Sequence, residues 1–332
     1  MKKFLLLITL TLGGIGGLCG CAGPAPTPPP PKVAGLENFN AGSAAFNSGE
    51  TDIAQPLLEQ SVRENPDLIP ARQLLGDLYR KQRDYLKASD QYEVFTHLDP
   101  FNFKSHYDLA LAYQLLGRLH EAINVYLQAL VLAPRDVNSN MNLGIVYLDV
   151  GRTDDAIKQL QIAVAAGPNS AAAECNLGIA LESAGQLQKA ETAFRRAIEL
   201  DPNMTIAVVD LGSNLIRQQR GSEAEIALRL ALKKEETATI DKLLGDSLVI
   251  QRRDDEALPF YQTALQLDPR FWQAMDQLGQ VLIRKYQTGG TIDEDLRTQA
   301  VAIWQKSLAI QPNQPAIRRL AEQWNQNGRF KP

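Results

Sequence analysis

Small and apolar residues recur along this chain with a period of 34 residues. Prolines mark the period, and an alanine stands twelve residues before each of them. Twelve residues before most of those alanines stands a glycine, usually directly after a leucine. The prolines are Pro66, Pro100, Pro134, Pro168, Pro202, Pro269 and Pro312. A fixed period of this length is typical of a supersecondary unit that stacks on copies of itself.

Within each period, the pattern predicts two helices joined by a turn. Large residues such as Tyr92, Phe194 and Trp304 stand four residues after the repeated alanine, on the same helical face. We expect them to fill the space between helix pairs. Glycines such as Gly151 stand where the first helix must end, and the prolines end the second helix.

This pattern resembles the tetratricopeptide repeat, whose tyrosine position is matched by Tyr79, Tyr113 and Tyr147. The resemblance implies an all-α, right-handed superhelical solenoid of about eight helix-turn-helix units in one elongated domain. We place the repeats over residues 35–314 and a C-terminal capping helix and tail over residues 315–332. The eight copies are 35–68, 69–102, 103–136, 137–170, 171–204, 205–237, 238–271 and 272–314.

Two irregularities interrupt the period. Gly212 and Gly245 are 33 residues apart, and the polar stretch 233–236 replaces the usual proline ending. The last copy carries nine extra residues within 286–295. Either this insertion is a tolerated surface loop or it is a contact loop at the edge of the solenoid.

The N-terminal segment has the plan of a secretory signal peptide, with two lysines followed by a short apolar run. The run is too short for a membrane span. Residues 18–21, Leu-Cys-Gly-Cys, resemble the lipobox of bacterial lipoproteins. That resemblance implies removal of residues 1–20 and acylation of Cys21, for example with palmitate. Cleavage of a plain signal peptide nearby is the alternative.

The residues after Cys21 indicate a tether. The lipoprotein resemblance, with Ala22 rather than Asp after the cysteine, implies the outer membrane facing the periplasm, if the organism has one. Residues 21–34 contain a proline-rich tract, which we expect to be extended and to hold the folded body about 25 Å from its anchor.

Charge and cysteine content exclude several classes of function. The chain has 34 basic and 38 acidic residues, and removing residues 1–20 takes away two lysines and no acid, which leaves a net charge of −6. Nucleic-acid binding selects for clustered positive charge, so we expect no nucleic-acid partner. Only Cys175 remains besides Cys19 and Cys21, so no internal disulfide is expected.

The resemblance also implies where partners bind. In tetratricopeptide proteins the fifth, sixth and ninth residues of a copy commonly face the concave groove. In the middle copies these residues are mostly apolar, with a short polar ladder at the sixth positions. The predicted groove residues are Tyr107, Asp108, Leu111, Met141, Asn142, Ile145, Asn176, Ile179, Val209 and Asp210.

This composition predicts an apolar or amphipathic ligand segment, bound as a helix or as an extended chain. The basic cluster with which some relatives hold a terminal carboxylate is absent from the fifth and sixth positions. The alternative is that these residues pack against a neighbouring helix of the same solenoid and bind nothing.

Catalysis is not expected. His97, His106 and His120 fall at different repeat positions, so the solenoid would not bring them together around a metal ion or a nucleophile. Cys175 has no histidine placed to activate it. We therefore predict no catalytic residue, no metal site and no cofactor.

The sequence as a whole predicts a lipid-anchored adaptor that binds proteins or peptide segments in a bacterial cell envelope. The resemblance extends to lipoproteins that assist assembly of pilus or secretion machinery. The alternative is an accessory or regulatory subunit of an envelope enzyme complex, such as one that remodels peptidoglycan.

Overall fold

The computed structural model describes residues 33–288 and 293–326, and over these ranges the secondary structure is entirely helical, with seventeen α-helices. The predicted signal peptide, Cys21 and most of the tether lie outside the described residues. No helix in the described ranges is long and apolar enough to cross a bilayer. The helices are α1 Leu36–Asn47, α2 Thr51–Glu64, α3 Ile69–Lys81, α4 Tyr85–Leu98, α5 Phe103–Leu115, α6 Leu119–Leu132, α7 Val137–Asp149, α8 Thr153–Ala166, α9 Ala171–Ser183, α10 Leu187–Leu200, α11 Thr205–Arg217, α12 Gly221–Leu232, α13 Ala238–Ile250, α14 Asp254–Leu267, α15 Trp272–Thr288, α16 Glu294–Ile310 and α17 Pro315–Gln326.

The helices form eight consecutive pairs, and α17 packs on the last of them. Each second helix packs on its own partner and on the first helix of the next pair. The first helices of neighbouring pairs also contact each other, as α7 does with both α5 and α9. The predicted all-α solenoid of eight helical pairs with a terminal helix is therefore confirmed.

The turn within each of the first seven pairs contains one residue with a positive φ angle, whether or not that residue is glycine. Gly151 and Gly185 adopt positive φ angles of 77° and 73°, two residues after the last residue of the first helix. Arg83 and Gln219 stand at the same place in other pairs and adopt φ angles of 64° and 63°. Because a side chain disfavours this conformation, helix packing must impose the turn where glycine is missing.

The repeated glycine and the large residue sixteen positions later pack directly on each other. A methyl group added at Gly178 would lie 2.5 Å from a ring carbon of Phe194, and one at Gly245 would lie 2.6 Å from a ring carbon of Tyr261. The expectation that these large side chains fill the space between pairs stays a prediction; Phe194 and Tyr261 pack on the first helix of their own pair. The absence of a side chain on one helix makes room for the ring on the other.

The side chain at the fourth position of several copies makes a polar contact with the backbone of the preceding repeat. His106 Nε2 lies 2.9 Å from the carbonyl oxygen of Pro100. Asn140 Nδ2 donates at 3.1 Å to the carbonyl of Pro134 and at 2.7 Å to that of Asp136. His106 and Asn140 thus contact the carbonyl groups of Pro100 and Pro134, which follow the end of the preceding helix.

Asp241 occupies this fourth position in the seventh copy. The side chain is 1% exposed, and its Oδ2 atom has no hydrogen-bond partner among the described residues. Burial, together with the nearby charge of Glu236, raises the pKa of Asp241 to about 6. An ionised carboxylate cannot donate to the carbonyl groups that Asn140 binds in the fourth copy.

The insertion in the last copy mainly lengthens its two helices. Both α15 and α16 have 17 residues, whereas α13 and α14 have 13 and 14. The predicted loop over 286–295 was therefore too wide, because both of its ends are helical; residues 289–292 lie outside the described residues. Tyr286 on the added turn meets Trp324 of α17 edge-on at 5.8 Å.

We predict that Asp241→Asn stabilises the protein, by roughly 1–3 kcal/mol at pH 7.5. The folded pKa of Asp241 is raised, so its ionisation disfavours the folded state above about pH 6. As the pH falls through 6 toward the pKa that Asp241 has in the unfolded chain, the wild type regains this stability. The advantage of the variant therefore shrinks. Urea unfolding at pH 7.5 and pH 4.5 measures both effects.

The reciprocal variant Asn140→Asp is the matched control. Its free energy of unfolding should be about 1–3 kcal/mol lower than that of wild type at pH 7.5, because its carboxylate cannot donate to two carbonyl oxygens. Equal stability of Asp241→Asn and wild type at pH 7.5 would contradict our account of this position.

A candidate binding groove on the first helices

The ten predicted groove residues lie on four helices that stand side by side. Helices α5, α7, α9 and α11 each contact the first helix of the neighbouring copy. Hydrogen bonds between residues 35 positions apart connect them: Asn142 Nδ2 donates to Tyr107 Oη at 3.2 Å, and Cys175 Sγ donates to Asp210 Oδ2 at 3.6 Å. The structure therefore brings the predicted residues together along one row of helices.

The apolar members of the set are partly buried. Tyr107, Met141, Ile179 and Val209 pack against the core of the solenoid, yet each keeps part of its surface exposed. Leu111 and Ile145 are also half-buried. The row thus presents half-buried apolar side chains on each of the four helices, and the core packs against them from one side.

Tyr107 is held from three directions. Its ring stacks on Phe103 with centroids 6.0 Å apart and meets Tyr126 edge-on at 6.2 Å. Its hydroxyl accepts the hydrogen bond from Asn142. These contacts fix the orientation of the ring, so the α5 end of the groove is preorganised.

Every member of the polar ladder has a partner inside the solenoid. Asp108 pairs with Lys104, which lies one turn earlier on α5. Asn176 Nδ2 donates at 2.8 Å to the carbonyl of Ala172, as Asn142 donates to Tyr107. These internal contacts agree in part with the alternative that the ladder is structural. The amide oxygens of Asn142 and Asn176 nevertheless receive no hydrogen bond from the described residues, and so they remain available as acceptors.

The two carboxylates of the ladder differ in their surroundings. Burial raises the pKa of Asp108, and hydrogen bonding to Lys104 counteracts this shift. Burial also raises the pKa of Asp210, to about 6; the Cys175 hydrogen bond opposes this shift, and the charge of Glu182 adds to it. No lysine or arginine among the described residues comes within ion-pair distance of Asp210. The residue four positions before it is Ile206, where Asp108 has Lys104.

The second position of each copy was not among the predicted groove residues. Lys104 and Ile206 occupy it, and they decide whether the carboxylate one turn later has a cation beside it. The spacing of four residues between Lys104 and Asp108 on one helix carries the signal, since such pairs are neighbours on a helix surface.

A cavity of about 420 Å³ opens elsewhere, between α10, α11 and α12. Its lining is mainly apolar and includes Ile226 and Leu230, which are 66% and 54% exposed. None of the predicted groove residues lines this cavity, so the cavity is a separate surface.

Metal binding is not indicated in the part of the chain that the structure describes. No group of three His, Cys, Asp or Glu side chains within residues 33–288 and 293–326 is placed to hold an ion. His106, one of the three histidines, is engaged by the carbonyl of Pro100.

Family models match the central part of the chain. A tetratricopeptide repeat model matches residues 141–205 and 209–270, and a TPR repeat model matches residues 115–151. Superkiller complex protein 3 of Mus musculus is 32% identical over 76 residues, which are 23% of this chain. The chain spans about 5% of the length of that curated relative.

Solved structures share the fold. A tetratricopeptide repeat protein from Parabacteroides merdae aligns with a TM-score of 0.59 and 17% identity, over 75% of this chain and 98% of that one. The pilF protein of Pseudomonas aeruginosa aligns with a TM-score of 0.55 and 19% identity, over 62% and 94%. The APC/C hetero-tetramer Cut9-Hcn1 aligns with a TM-score of 0.61 and 15% identity, over 88% of this chain and 57% of that one. At these identities the likeness concerns the fold alone.

We predict that Cys175 resists alkylation in the folded protein. The side chain is 5% exposed, and burial, with the neighbouring Asp210 carboxylate, raises its pKa to about 12. At pH 8 the reactive thiolate is therefore scarce. Peptide mapping after iodoacetamide treatment should find Cys175 labelled only when urea is present. Rapid labelling in the native state would show that this part of the groove opens.

Proposed function

We propose that this chain, a tetratricopeptide repeat protein, is a lipid-anchored scaffold that binds partner proteins in a bacterial cell envelope through the groove of α5, α7, α9 and α11. One observation carries the binding proposal: four adjacent helices present half-buried apolar side chains beside amide oxygens that lack hydrogen bonds from the described residues. Solenoids of this family are scaffolds for protein–protein interaction, and they use extended surfaces of this kind.

The groove suits an apolar or amphipathic segment of a protein. Met141, Ile145 and Ile179 supply apolar area that a ligand would remove from water, at roughly 25 cal/mol for each Å². The free amide oxygens of Asn142 and Asn176 accept hydrogen bonds, which an extended backbone can donate. Because the core already holds these side chains, little conformational entropy is lost when a ligand binds.

The anchor is proposed from the sequence. Residues 18–21 resemble the lipobox, and the proline-rich stretch that follows Cys21 would hold the solenoid away from the lipid surface. We propose an outer-membrane location facing the periplasm, with assembly of pilus or secretion machinery as one process served. The protein itself is proposed to be non-enzymatic. A role as accessory or regulatory subunit of an envelope enzyme complex is the second proposal, since such a subunit would use the same groove.

We predict that Met141→Glu with Ile145→Glu abolishes partner capture while helical content and melting temperature stay close to wild type. Both side chains are half-buried, so charge at these positions opposes an apolar ligand more than it opposes folding. The measurement is crosslinking in cells, followed by quantitative mass spectrometry of the proteins recovered with each variant.

The control variant is Ile226→Glu, which places the same charge on the exposed residue of the separate cavity. Envelope proteins recovered with wild type and with Ile226→Glu, but not with the groove variant, would support binding in the groove. If the groove variant recovers the same partners as wild type, the groove is not the binding surface. If it unfolds, Met141 and Ile145 are core residues.

We predict that Cys21→Ser releases the protein from membranes, because a chain that lacks the acylated cysteine has no lipid to insert. Fractionation of cells into membrane and soluble extracts measures the change, with Cys175→Ser as the matched control that should stay with the membranes. Retention of Cys21→Ser in the membrane fraction would contradict the lipobox interpretation.

A further inference from the structure

We propose that Asp210 selects ligands that place a lysine or arginine side chain on its carboxylate, beside the apolar residues that fill the groove. This inference rests on the proposed function, because it concerns the ligand of the same groove. It adds a charge requirement to a site whose sequence predicts only an apolar or amphipathic segment.

The first observation is that no lysine or arginine within residues 33–288 and 293–326 pairs with the Asp210 carboxylate. Its only hydrogen bond from the described residues comes from the thiol of Cys175, a weak donor, at 3.6 Å. Glu182, on the neighbouring α9, is the charged group that acts on it, and it is also acidic. Arg217 on α11 is engaged elsewhere, since its Nη1 lies 3.0 Å from Glu182 Oε1 and 3.2 Å from the Glu182 carbonyl oxygen.

The second observation is an internal comparison within the chain. Asp108 and Asp210 hold the same position in their repeats; Asp108 is buried and Asp210 is half-buried. Lys104 neutralises Asp108 from the preceding turn of α5. The corresponding residue on α11 is Ile206, which is 58% exposed and carries no charge. The solenoid therefore supplies a cation at one of the two sites and leaves the other to a ligand.

The surroundings of Asp210 fit a long basic side chain. Ile206 lies one turn away on the same face of α11, where its exposed side chain can pack against the methylene stem of a lysine or arginine. The charged end would then reach a carboxylate that burial has partly removed from water, which strengthens the ion pair. A ligand acid at this place would instead meet both Asp210 and Glu182.

The repeat spacing sets the position of the basic residue in an extended ligand. Packed helices lie roughly 8–10 Å apart, and an extended chain rises about 3.3 Å per residue, so it crosses one repeat in about three residues. Ile179 belongs to the copy before Asp210. An extended ligand would therefore carry its basic residue about three positions from the apolar residue that contacts Ile179.

A random twelve-residue peptide library, displayed on phage and selected on the immobilised full chain, tests the proposal. Clones that fail to bind Met141→Glu with Ile145→Glu are taken as groove-dependent. We expect these clones to be enriched in lysine or arginine next to apolar residues. A synthetic peptide of the leading clone should bind wild type about tenfold or more tighter than Asp210→Asn, and norleucine in place of its basic residue should remove that difference.

Ile206→Lys is the second variant, and it copies the pairing of Lys104 with Asp108. It changes an exposed residue and supplies an internal cation. It should therefore weaken binding of the basic peptide about as much as Asp210→Asn does, without loss of folding. It keeps the proposal testable if Asp210→Asn should not fold.

The outcomes separate this proposal from the function on which it rests. Groove-dependent clones without any preference for basic residues, or a leading peptide that binds Asp210→Asn and Ile206→Lys as tightly as wild type, would overturn the role of Asp210 and leave the groove as a binding surface. A selection that yields no groove-dependent clone would overturn both.

Discussion

The contact between a glycine on the first helix and a large side chain on the second is the constraint on which the rest of this structure depends. Phe194 and Tyr261 are fully buried against Gly178 and Gly245, at distances that leave no space for a methyl group. This contact sets how closely the two helices of a pair approach each other. Because it recurs in successive copies, the first helices line up in register, and equivalent residues of neighbouring copies come within hydrogen-bond distance.

That register gives the groove its stiffness. Tyr107 and Asn142, and likewise Cys175 and Asp210, are bonded across neighbouring first helices. A surface held in this way loses little entropy when a ligand binds, which favours affinity from a modest contact area. The same bonds occupy part of the polar ladder, so a ligand of the proposed groove would meet amide oxygens and one carboxylate rather than free amide donors.

On this regular frame, single substitutions at equivalent positions decide local chemistry. His106 and Asn140 bind carbonyl groups at the fourth position, whereas Asp241 cannot do so when ionised. At the sixth position Asp108 is paired with a lysine, whereas Asp210 has no such partner in the part of the chain that the structure describes. Function in repeat proteins resides in such departures, because the shared framework cannot by itself distinguish one ligand from another.

By itself the sequence determined the helical pairs, their number and their order, because spacing along the chain carries helix periodicity, helix ends and the small residue needed for close packing. It also placed the groove residues on four neighbouring helices. Only the tertiary structure decided three contacts and lengths: Phe194 packs on Gly178, helices α15 and α16 contain most of the insertion, and Asp210 has among the described residues no cation like the Lys104 of Asp108. These outcomes depend on distances between side chains far apart in the sequence, and a 34-residue period does not encode such distances.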